Sequence, residues 1–550
     1  MDGVPLRQRN GYGRRIVPMV LSVLPSVVVW GMALVVLCPL LMVVSVAWTG
    51  HDDVWVHVVE HTLLDYTVAT LTLVVGVAVG STLLGVGTAW CVTMYRFPLS
   101  RLLRSVLLLP MAMPSYLVAF VYTDLFEGRV FFDVRSMGMA IFVMSVTLYP
   151  YVYAFVRASL IEQSACMWEA GRILGCRPWR NFFSVAFPLM RPSLIAGLSL
   201  VMMETLNDFG TVQYFAIPSF TSGIYNTWLN MNSLGAAARL SVLLLLFIIV
   251  VLSMEWHGRG EKRYHHMTTR HRFFSTDRVS GWRGYALMGV CLFPLVVGFL
   301  VPCVVLAMFA WSSYPQAFAD NMFVPMVNSL TLATLGSVLV VILGFLLAWA
   351  GRPPSGLFFR ALMRMASVGY AIPGAVLGVG ILLWLSFLER DVSVWLFGAG
   401  SGSLYLLSSS WALLYGYSVR FLALSYGAVE SSLSRVTLSM EQAARTLGAT
   451  AWRVMMRVHV PMVRPSVITA ALLVFVDIMK ELPLTLLLRP PSYETLATWV
   501  WLYAQDEAFV TSSAGALMIV MIGLLPVLWM SRLITRSVFG GHEGYGSAPA

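Results

Sequence analysis

The chain has 550 residues, of which 58% are hydrophobic and only 11% are charged. Soluble domains carry about 25% charged residues, so this composition excludes a soluble globular protein. The net charge of +10 would suit nucleic acid, but the basic residues lie in short segments between apolar runs, which excludes a nucleic-acid-binding surface. The composition predicts an all-α integral membrane protein whose helices are embedded in the lipid bilayer.

Apolar runs of about 20 residues, the length that crosses a hydrocarbon core of about 30 Å as a helix, recur along the chain. They predict about twelve transmembrane helices, near residues 24–48, 66–94, 102–125, 137–160, 193–217, 239–255, 285–310, 327–350, 360–387, 404–428, 465–489 and 513–533. The first run follows a basic N-terminal segment and is too long for a signal peptide. We therefore expect it to remain as the first membrane helix.

A long internal repeat organises the chain. Residues 167–228 return without a gap as residues 440–501, at a shift of 273 positions, and the matches include arginine, glycine, tryptophan and proline. Before this repeated segment, the two copies align at a shift of 259 positions. The difference between the two shifts means that the second copy carries 14 extra residues, which we expect near residues 388–403. Each copy has an even number of predicted spans. The two copies therefore have the same orientation and form two parallel six-helix repeats.

The repeat and the charge pattern together predict the domain organisation. The first repeat occupies residues 1–256, a basic linker occupies residues 257–284, and the second repeat occupies residues 285–550. Arginines concentrate in the linker and in alternate connections between spans, which the positive-inside rule assigns to the cytoplasm. Both termini are therefore expected to be cytoplasmic.

The repeated cytoplasmic connection, residues 165–190 and 438–463, has the pattern of a short helical hairpin. Residues 169–174 favour a helix, Gly175 suits the left-handed residue that ends one, and a helix resumes before Pro188. A connection of this length tends to be functional. The pattern predicts a docking element for another protein.

This hairpin resembles the EAA loop of ABC importer permeases, which inserts into a cleft of the ATP-binding subunit. Each copy departs from the usual pattern once, at Gly171 and at Gln442, and Glu441 lies one place early. The resemblance implies partners, two copies of an ABC ATP-binding subunit that carry ATP and Mg. It assigns docking to Glu169, Ala170, Gly171, Arg172, Gly175, Arg180 and Pro188 in the first copy, and to Glu441, Gln442, Ala443, Ala444, Arg445, Gly448, Arg453 and Pro461 in the second.

Four acidic residues fall inside the predicted spans that follow the hairpins. Glu204 and Asp208 coincide, under the shift of 273, with Asp477 and Glu481, and each pair shares one helix face. A carboxylate at the centre of a membrane helix costs about 2.5 to 3.5 kcal/mol and almost always faces the bundle interior or a water-filled path. With Lys480, these residues are candidates for a translocation path, and their oxygens suit transient contact with a hard cation such as Fe(III).

A structural role is the alternative for the same carboxylates. They would then pair with Lys480, with Arg489, or with backbone groups freed near Gly210 and Pro483, where each helix is expected to break. The sequence leaves both roles open, and the two are compatible. It fixes no resident metal site.

The segments around these carboxylates resemble fused permeases of ferric-iron ABC importers. The resemblance runs over nearly the whole chain and includes residues 110–122, 204–225 and 479–490. It implies the type I ABC importer permease fold, a place in the bacterial inner membrane, and Fe(III) delivered by a periplasmic or surface-tethered iron-binding protein. Thiamine, a phosphonate or a polyamine are the alternative cargoes that the resemblance leaves open.

The chain is expected to bind no cofactor of its own. A phosphate-cradling loop ends in Gly-Lys-Ser/Thr, but Lys262 follows Glu261 and Lys480 follows Met479. ATP hydrolysis is therefore assigned to a partner, and the chain is interpreted as a transport subunit and not an enzyme. An ion-coupled secondary carrier, with the four carboxylates binding the ion, is the alternative from a different class.

Overall fold

The computed structural model describes residues 13–49, 53–129, 133–162, 180, 182–259, 277–319, 321–352, 357–366, 369–392 and 406–539, which are mainly helical. The helices of the first half are α1 (Gly13–Thr49), α2 (Asp53–His61), α3 (Leu63–Met94), α4 (Ser100–Val106), α5 (Ser115–Phe126), α6 (Met137–Glu162), α7 (Phe187–Asn207), α8 (Gly210–Tyr214), α9 (Phe220–Leu229) and α10 (Leu234–Arg259). Those of the second half are α11 (Trp282–Leu295), α12 (Val301–Ala319), α13 (Phe323–Ala350), α14 (Leu357–Ala366), α15 (Gly374–Phe387), α16 (Ser410–Leu433), α17 (Leu438–Thr446), α18 (Ala451–Val454), α19 (Val460–Met479), α20 (Pro483–Leu488), α21 (Leu496–Gln505) and α22 (Phe509–Phe539). A two-residue strand, β1 (Tyr95–Arg96), pairs in parallel with β2 (Asp277–Arg278).

Many of the described helices are suited to crossing a membrane. Nine of the described helical stretches are long and apolar enough to span a bilayer, or ten if the pair Ser100–Ala112 and Ser115–Phe126, bent by 89°, is one span. The two other spans expected from the sequence coincide with α16 and with α14 and α15. α16 is more polar because it contains Arg420, Glu430 and several serines, and the other span is divided near Pro373. The all-α membrane fold is confirmed.

Large apolar side chains are exposed on the outer faces of these spans. On α3, Val75, Val79 and Leu83 follow one another at steps of four residues and are 58%, 55% and 70% exposed. Water-soluble proteins rarely expose contiguous apolar surface of this kind. Hydrocarbon chains of the bilayer would cover it.

The contacts between residues divide the chain into two compact units. One unit contains Met1–Met42, Thr331–Ile372 and Gly380–Ile478. The other contains Val43–Leu330, Pro373–Val379 and Met479–Ala550. The first unit therefore holds the second hairpin, and the other unit holds both segments that follow the breaks in α7 and α19.

Each repeated hairpin leads into its following span through a π-helical turn. The turns occupy Phe182–Ala186 before α7 and Met455–His459 before α19, which are positions 273 apart. A proline, Pro188 or Pro461, lies two residues after the end of each turn. In an α-helix its ring would clash with the carbonyl four residues earlier. A π turn is a wider turn of the kind found where a helix is locally disturbed. The same proline thus accompanies the same deformation in both copies.

The spans after the hairpins break where the sequence predicts. α7 ends at Asn207 and α8 begins at Gly210, while α19 ends at Met479 and α20 begins at Pro483. Asp208 has extended backbone, with φ −70° and ψ 119°, which interrupts the helical hydrogen bonds. Such an interruption is tolerated at membrane depth only where other groups satisfy the freed backbone.

A second kind of break precedes α5 and α15. Met113, which precedes Pro114, has φ −96° and ψ 113°. The residue before a proline avoids the helical region for steric reasons, so the chain turns there by 89° before α5 begins. Pro373 occupies the corresponding place before α15, at the shift of 259.

The helix boundaries locate the extra residues of the second repeat. α5 and α15 begin 259 positions apart, whereas α6 and α16 begin 273 positions apart. The 14 extra residues therefore lie between α15 and α16, where the sequence places them.

The ungapped alignment of Trp228 with Trp501 is wrong. α9 and α21 begin 276 positions apart, and the capping boxes at Ser219 and Thr495 that start them differ by the same number. Three extra residues in the connection between α20 and α21 account for the change from 273. Because the caps fix where each helix starts, the counterpart of Trp501 is Tyr225.

Candidate functional site

The second hairpin, residues 438–463, consists of two helical arms. α17 forms the first arm and ends in a Schellman motif. The N–H of Gly448 donates to the carbonyl of Arg445 at 2.9 Å, and the N–H of Ala449 donates to the carbonyl of Ala444 at 3.0 Å. Gly448 has φ +82°, a left-handed conformation that glycine adopts without steric penalty. α18 and the following π turn form the second arm, which continues into α19.

The outer surface of this hairpin is apolar and basic. Leu447 is 89% exposed and Trp452 is 60% exposed, and Arg445 and Arg453 are exposed near them in sequence. Tryptophan and arginine are enriched in protein interfaces and often dominate their binding energy. Of the other predicted docking residues in this copy, the exposed ones are Gln442, Ala443, Gly448 and Pro461, and Ala444 is half-buried.

Glu441 differs from its neighbours on α17 because its carboxylate contacts other parts of the same compact unit. It forms a salt bridge with Arg352, and its Oε1 lies 2.9 Å from Nε2 of His459. Arg352 also donates to the carbonyls of Leu433 (2.7 Å) and Val436 (2.8 Å), at the C-terminal end of α16. We call the three residues Glu441, Arg352 and His459 the hairpin joint.

The first hairpin, residues 165–190, lies largely outside the described residues. The ones that fall outside are Glu169, Ala170, Gly171, Arg172 and Gly175. Arg180 is exposed, and Pro188 is half-buried within α7. A docking role for this copy stays a prediction.

Asp208 lies in the break between α7 and α8 and caps the shorter helix. Its Oδ1 accepts a hydrogen bond from the N–H of Thr211 at 2.7 Å, and its Oδ2 accepts from the hydroxyl of Thr211 at 3.0 Å. The hydroxyl of Ser115, at the start of α5, also donates to Oδ2. Glu204, one turn earlier on α7, acts on Asp208 electrostatically. The carboxylate of Asp208 thus stabilises the break.

Glu481 has the same arrangement in the second copy. Its Oε1 accepts from the N–H of Leu484 at 3.0 Å, three residues onward, and the hydroxyl of Thr485 donates to its main-chain carbonyl at 2.9 Å. The residue is only 6% exposed. Glu481 therefore caps α20 as Asp208 caps α8, because a side-chain oxygen satisfies an N–H group of the first helical turn.

The breaks of both repeats meet the starts of α5 and α15 within one compact unit. A Cβ on Gly210 would lie 2.7 Å from Cβ of Tyr116 and 3.1 Å from Cδ2 of Leu482. The side-chain oxygen of Asn207 accepts from the N–H of Gly374 at 2.8 Å. Real Cβ atoms do not approach other atoms so closely, so only glycine fits at position 210.

Three of the predicted path residues lie near Tyr116. Its hydroxyl is buried, has no hydrogen-bond partner within the described ranges, and is subject to the charges of Asp208, Lys480 and Glu481. Asp477, which is half-buried near the end of α19, belongs to the other compact unit. In the described part of the chain, no group of three or more His, Cys, Asp or Glu residues could hold a metal ion.

Replacing Gly210 by alanine is expected to destabilise the protein. The added methyl group overlaps Tyr116 and Leu482, and overpacking of this kind costs about 1 to 3 kcal/mol. The measurement is the thermal unfolding temperature of the purified protein in detergent. Gly87→Ala on α3 is the matched control, because nothing lies within 4 Å of its added Cβ. Equal unfolding temperatures for the two variants would contradict the close packing at Gly210.

Several residues of these sites carry no motif in the sequence. Arg352 has the pattern of a topology signal only, and His459 and Ser115 have none. Asn207 offers the one usable signal, a polar amide inside an apolar run. Its partner Gly374 lies 167 residues away, and the partners Ser115 and Asp208 are 93 residues apart.

Bent and broken membrane helices, together with a hairpin that exposes an apolar and basic surface, define a multi-pass membrane protein with a surface suited to docking another protein. The description "Binding-protein-dependent transport system inner membrane component" applies to a family whose profile matches residues 81–263 and 340–539. The match covers parts of both repeats and more than half of the chain. The chain belongs to this family and is thus a permease subunit of the ABC transporter class, in which a substrate-binding protein and an ATPase are the partners.

Similar proteins differ in their named cargo. The Fe(3+)-transport system permease protein FbpB 2 of Haemophilus influenzae is 24% identical over 468 residues, which are 84% of this chain and 88% of that protein. The sulfate transport system permease protein CysT of Escherichia coli is 32% identical over 143 residues, 24% of this chain and 51% of that protein. The molybdenum transport system permease protein ModB of Escherichia coli is 29% identical over 193 residues, 32% of this chain and 84% of that protein.

Proposed function

We propose that this chain is the subunit through which an ATP-driven ABC importer carries Fe(III) across the inner membrane. One observation carries the choice of cargo. The similarity to the Fe(3+)-transport permease extends over 84% of this chain and 88% of that protein, so the two share the organisation with both repeats in one chain. The sulfate and molybdenum permeases match 24% and 32% of this chain, and the molybdenum permease does so over 84% of its own length. Only the first of these matches is long enough to include both repeats. An extracytoplasmic iron-binding protein delivers the cargo.

The two hairpins, residues 165–190 and 438–463, are the proposed docking elements for two copies of an ATP-binding subunit that holds ATP and Mg. The exposed Leu447 and Trp452, with basic neighbours, support this role for the second hairpin. Both termini and both hairpins lie in the cytoplasm in this proposal. ATP-driven closure of the motors moves the hairpins together and switches the cavity from inward-facing to outward-facing.

The proposed halves of the permease are residues 1–256 and 285–550, joined by the linker 257–284. The repeated π turns and the repeated helix breaks, each 273 positions apart, support this division. Each half then supplies one hairpin and one broken span. This gives each ATP-binding subunit its own docking element.

Glu204 and Asp477 are the path residues to test first. They are a repeat-related pair of carboxylates, and carboxylate oxygens are the ligands that hard cations prefer. Asp208 and Glu481 remain candidates, but their substitution also removes a helix cap. Lys480 lies at the break of the second repeat, one residue after α19 ends.

An oxyanion is the second candidate cargo. The identity to the sulfate permease, 32%, exceeds the 24% to the Fe(3+) permease, although it covers a much shorter segment. A 2-aminoethylphosphonate permease of Salmonella typhimurium is also similar, with 25% identity over 269 residues. Thiamine and a polyamine are further alternatives from the resemblance.

Uptake in cells that lack the gene tests the cargo. We expect uptake of labelled Fe(III) to be lost on deletion and restored by the wild-type chain, while uptake of labelled thiamine, sulfate and molybdate is unchanged. A Glu204→Ala/Asp477→Ala variant is expected to restore little Fe(III) uptake. Asp506→Ala, which alters an exposed carboxylate at the end of α21, is the control.

Unchanged iron entry with reduced entry of another solute would overturn the assignment of Fe(III) as the cargo, but the importer function would stand. An ATP-binding subunit that does not co-purify with the chain would count against the docking role of the two hairpins.

A further inference from the structure

We propose that the hairpin joint transmits the movement of the docking hairpin to the membrane helices, with Glu441 as its positioning residue. The proposal rests on the docking function proposed for residues 438–463 and adds a step to it. Glu441 has an internal role here, so the contact with the ATP-binding subunit falls to other residues of the hairpin. The supporting observations are the position of the joint, its chemistry and the exposure of its neighbours.

The joint lies where three membrane helices end or begin. Arg352 comes two residues after the end of α13, it binds carbonyls at the end of α16, and His459 immediately precedes α19. A cluster of buried apolar side chains packs the same three helices together. Its members are Ala348 of α13, Val429 and Leu433 of α16, and Val463 of α19. Movement of the joint is therefore movement of three packed spans.

The chemistry of Arg352 makes this link stiff. Its Nη1 donates to the carbonyl of Leu433, while its Nη2 donates to the carbonyl of Val436 and contacts Glu441. A planar guanidinium that binds through both of its Nη atoms holds its partners in fixed directions. Carbonyls at a helix C-terminus also favour a cation there.

The side chains of the joint are shielded from water. The exposed fractions are 13% for Glu441, 15% for Arg352 and 4% for His459. Removing one partner of such a pair leaves a buried charge uncompensated. The neighbouring Gln442 is exposed, so its side chain is available to a docked subunit and that of Glu441 is engaged within the chain. The two adjacent residues therefore have separable roles.

Glu441→Gln in the assembled importer tests the proposal. The complex of this chain with its ATP-binding subunit is purified in lipid nanodiscs and mixed with Fe(III)-loaded binding protein. We expect the variant to hold as much ATP-binding subunit as the wild type and to keep basal ATP hydrolysis. Stimulation by the binding protein is expected to be lost. In proteoliposomes, the number of ATP molecules hydrolysed per Fe(III) transported is expected to rise about tenfold, within the range by which single residues alter coupling between sites.

Three further variants make the result specific. Glu430→Gln makes the same change at an exposed glutamate of α16, outside the hairpin, and is the matched control that is expected to leave the ATP-to-Fe(III) ratio unchanged. Glu441→Asp keeps the charge and is expected to restore part of the coupling. His459→Gln keeps a donor toward Glu441, and it tests the joint where Glu441→Gln does not assemble. We expect it to raise the ratio less than Glu441→Gln does.

Two results would overturn the proposal. Loss of the ATP-binding subunit from Glu441→Gln would make Glu441 a docking contact, and a wild-type ratio in Glu441→Gln would show that the joint transmits nothing. Failure of the wild-type chain to hold an ATP-binding subunit is a different result. It would overturn the docking function itself, and the proposed joint with it.

Discussion

Replacing Gly448 by proline is expected to abolish cargo uptake while the protein still reaches the membrane. Gly448 has φ +82°, whereas the proline ring holds φ near about −65°. Proline also lacks the N–H that Gly448 donates to the carbonyl of Arg445. The Schellman motif cannot form, so the second arm of the hairpin is redirected. The measurement is uptake of labelled Fe(III), normalised to the amount of variant in the membrane fraction.

Gly448→Asn is the matched control for this variant. Asparagine accepts the left-handed conformation and keeps the N–H, so uptake near the wild-type level is expected. Gly448→Ala is expected to be intermediate, because left-handed alanine costs about 1 to 2 kcal/mol. Normal uptake by Gly448→Pro at normal abundance would count heavily against the docking role. The repeat predicts the same loss for Gly175→Pro.

Replacing Asp208 by alanine is expected to destabilise the protein and to reduce uptake strongly. The N–H and hydroxyl of Thr211 and the hydroxyl of Ser115 lose their acceptor. A part-buried donor left without an acceptor costs about 1 to 3 kcal/mol. The measurement pairs the thermal unfolding temperature of the purified protein with uptake in complemented cells.

Asp208→Asn separates the cap from the charge. The amide oxygen of asparagine can still accept from Thr211, so we expect an unfolding temperature close to that of the wild type. If Asp208 serves only as a cap, uptake is retained as well, and this is the result we expect. Uptake lost at an unchanged unfolding temperature would instead show that cargo movement needs the negative charge. Glu481→Gln, at the equivalent cap of α20, applies the same test to the second copy.

Much of the fold could be predicted from the sequence, because its main signals are local or periodic. Apolar length predicts the spans, and proline predicts the break before α20. The break before α5 was missed, because residues 102–125 were predicted as one continuous span. Glycine at position 448 predicts the left-handed end of α17, which the structure shows. The internal repeat then transfers each of these local features to the other half of the chain.

The residues that join distant segments could not be predicted in this way. Arg352 and Glu441 are 89 positions apart in the sequence, and neither belongs to a periodic pattern. Basic residues at the ends of spans are expected for topology alone, which hides the second use of Arg352. The alignment of Trp228 with Trp501 failed for a different reason. The two tryptophans were aligned because they are identical, although the capping residues of the two helices are 276 and not 273 positions apart.

The different shifts between the two copies also indicate where the architecture tolerates added length. Fourteen residues are accommodated between α15 and α16, and three between α20 and α21. From the π turns through the helix breaks, in contrast, the two copies have identical spacing. An epitope tag or a fluorescent protein should therefore be placed in one of those two connections. The stretch from position 455 to position 487 should be left unbroken, because a single inserted residue there would rotate the span that carries the carboxylates by about 100°.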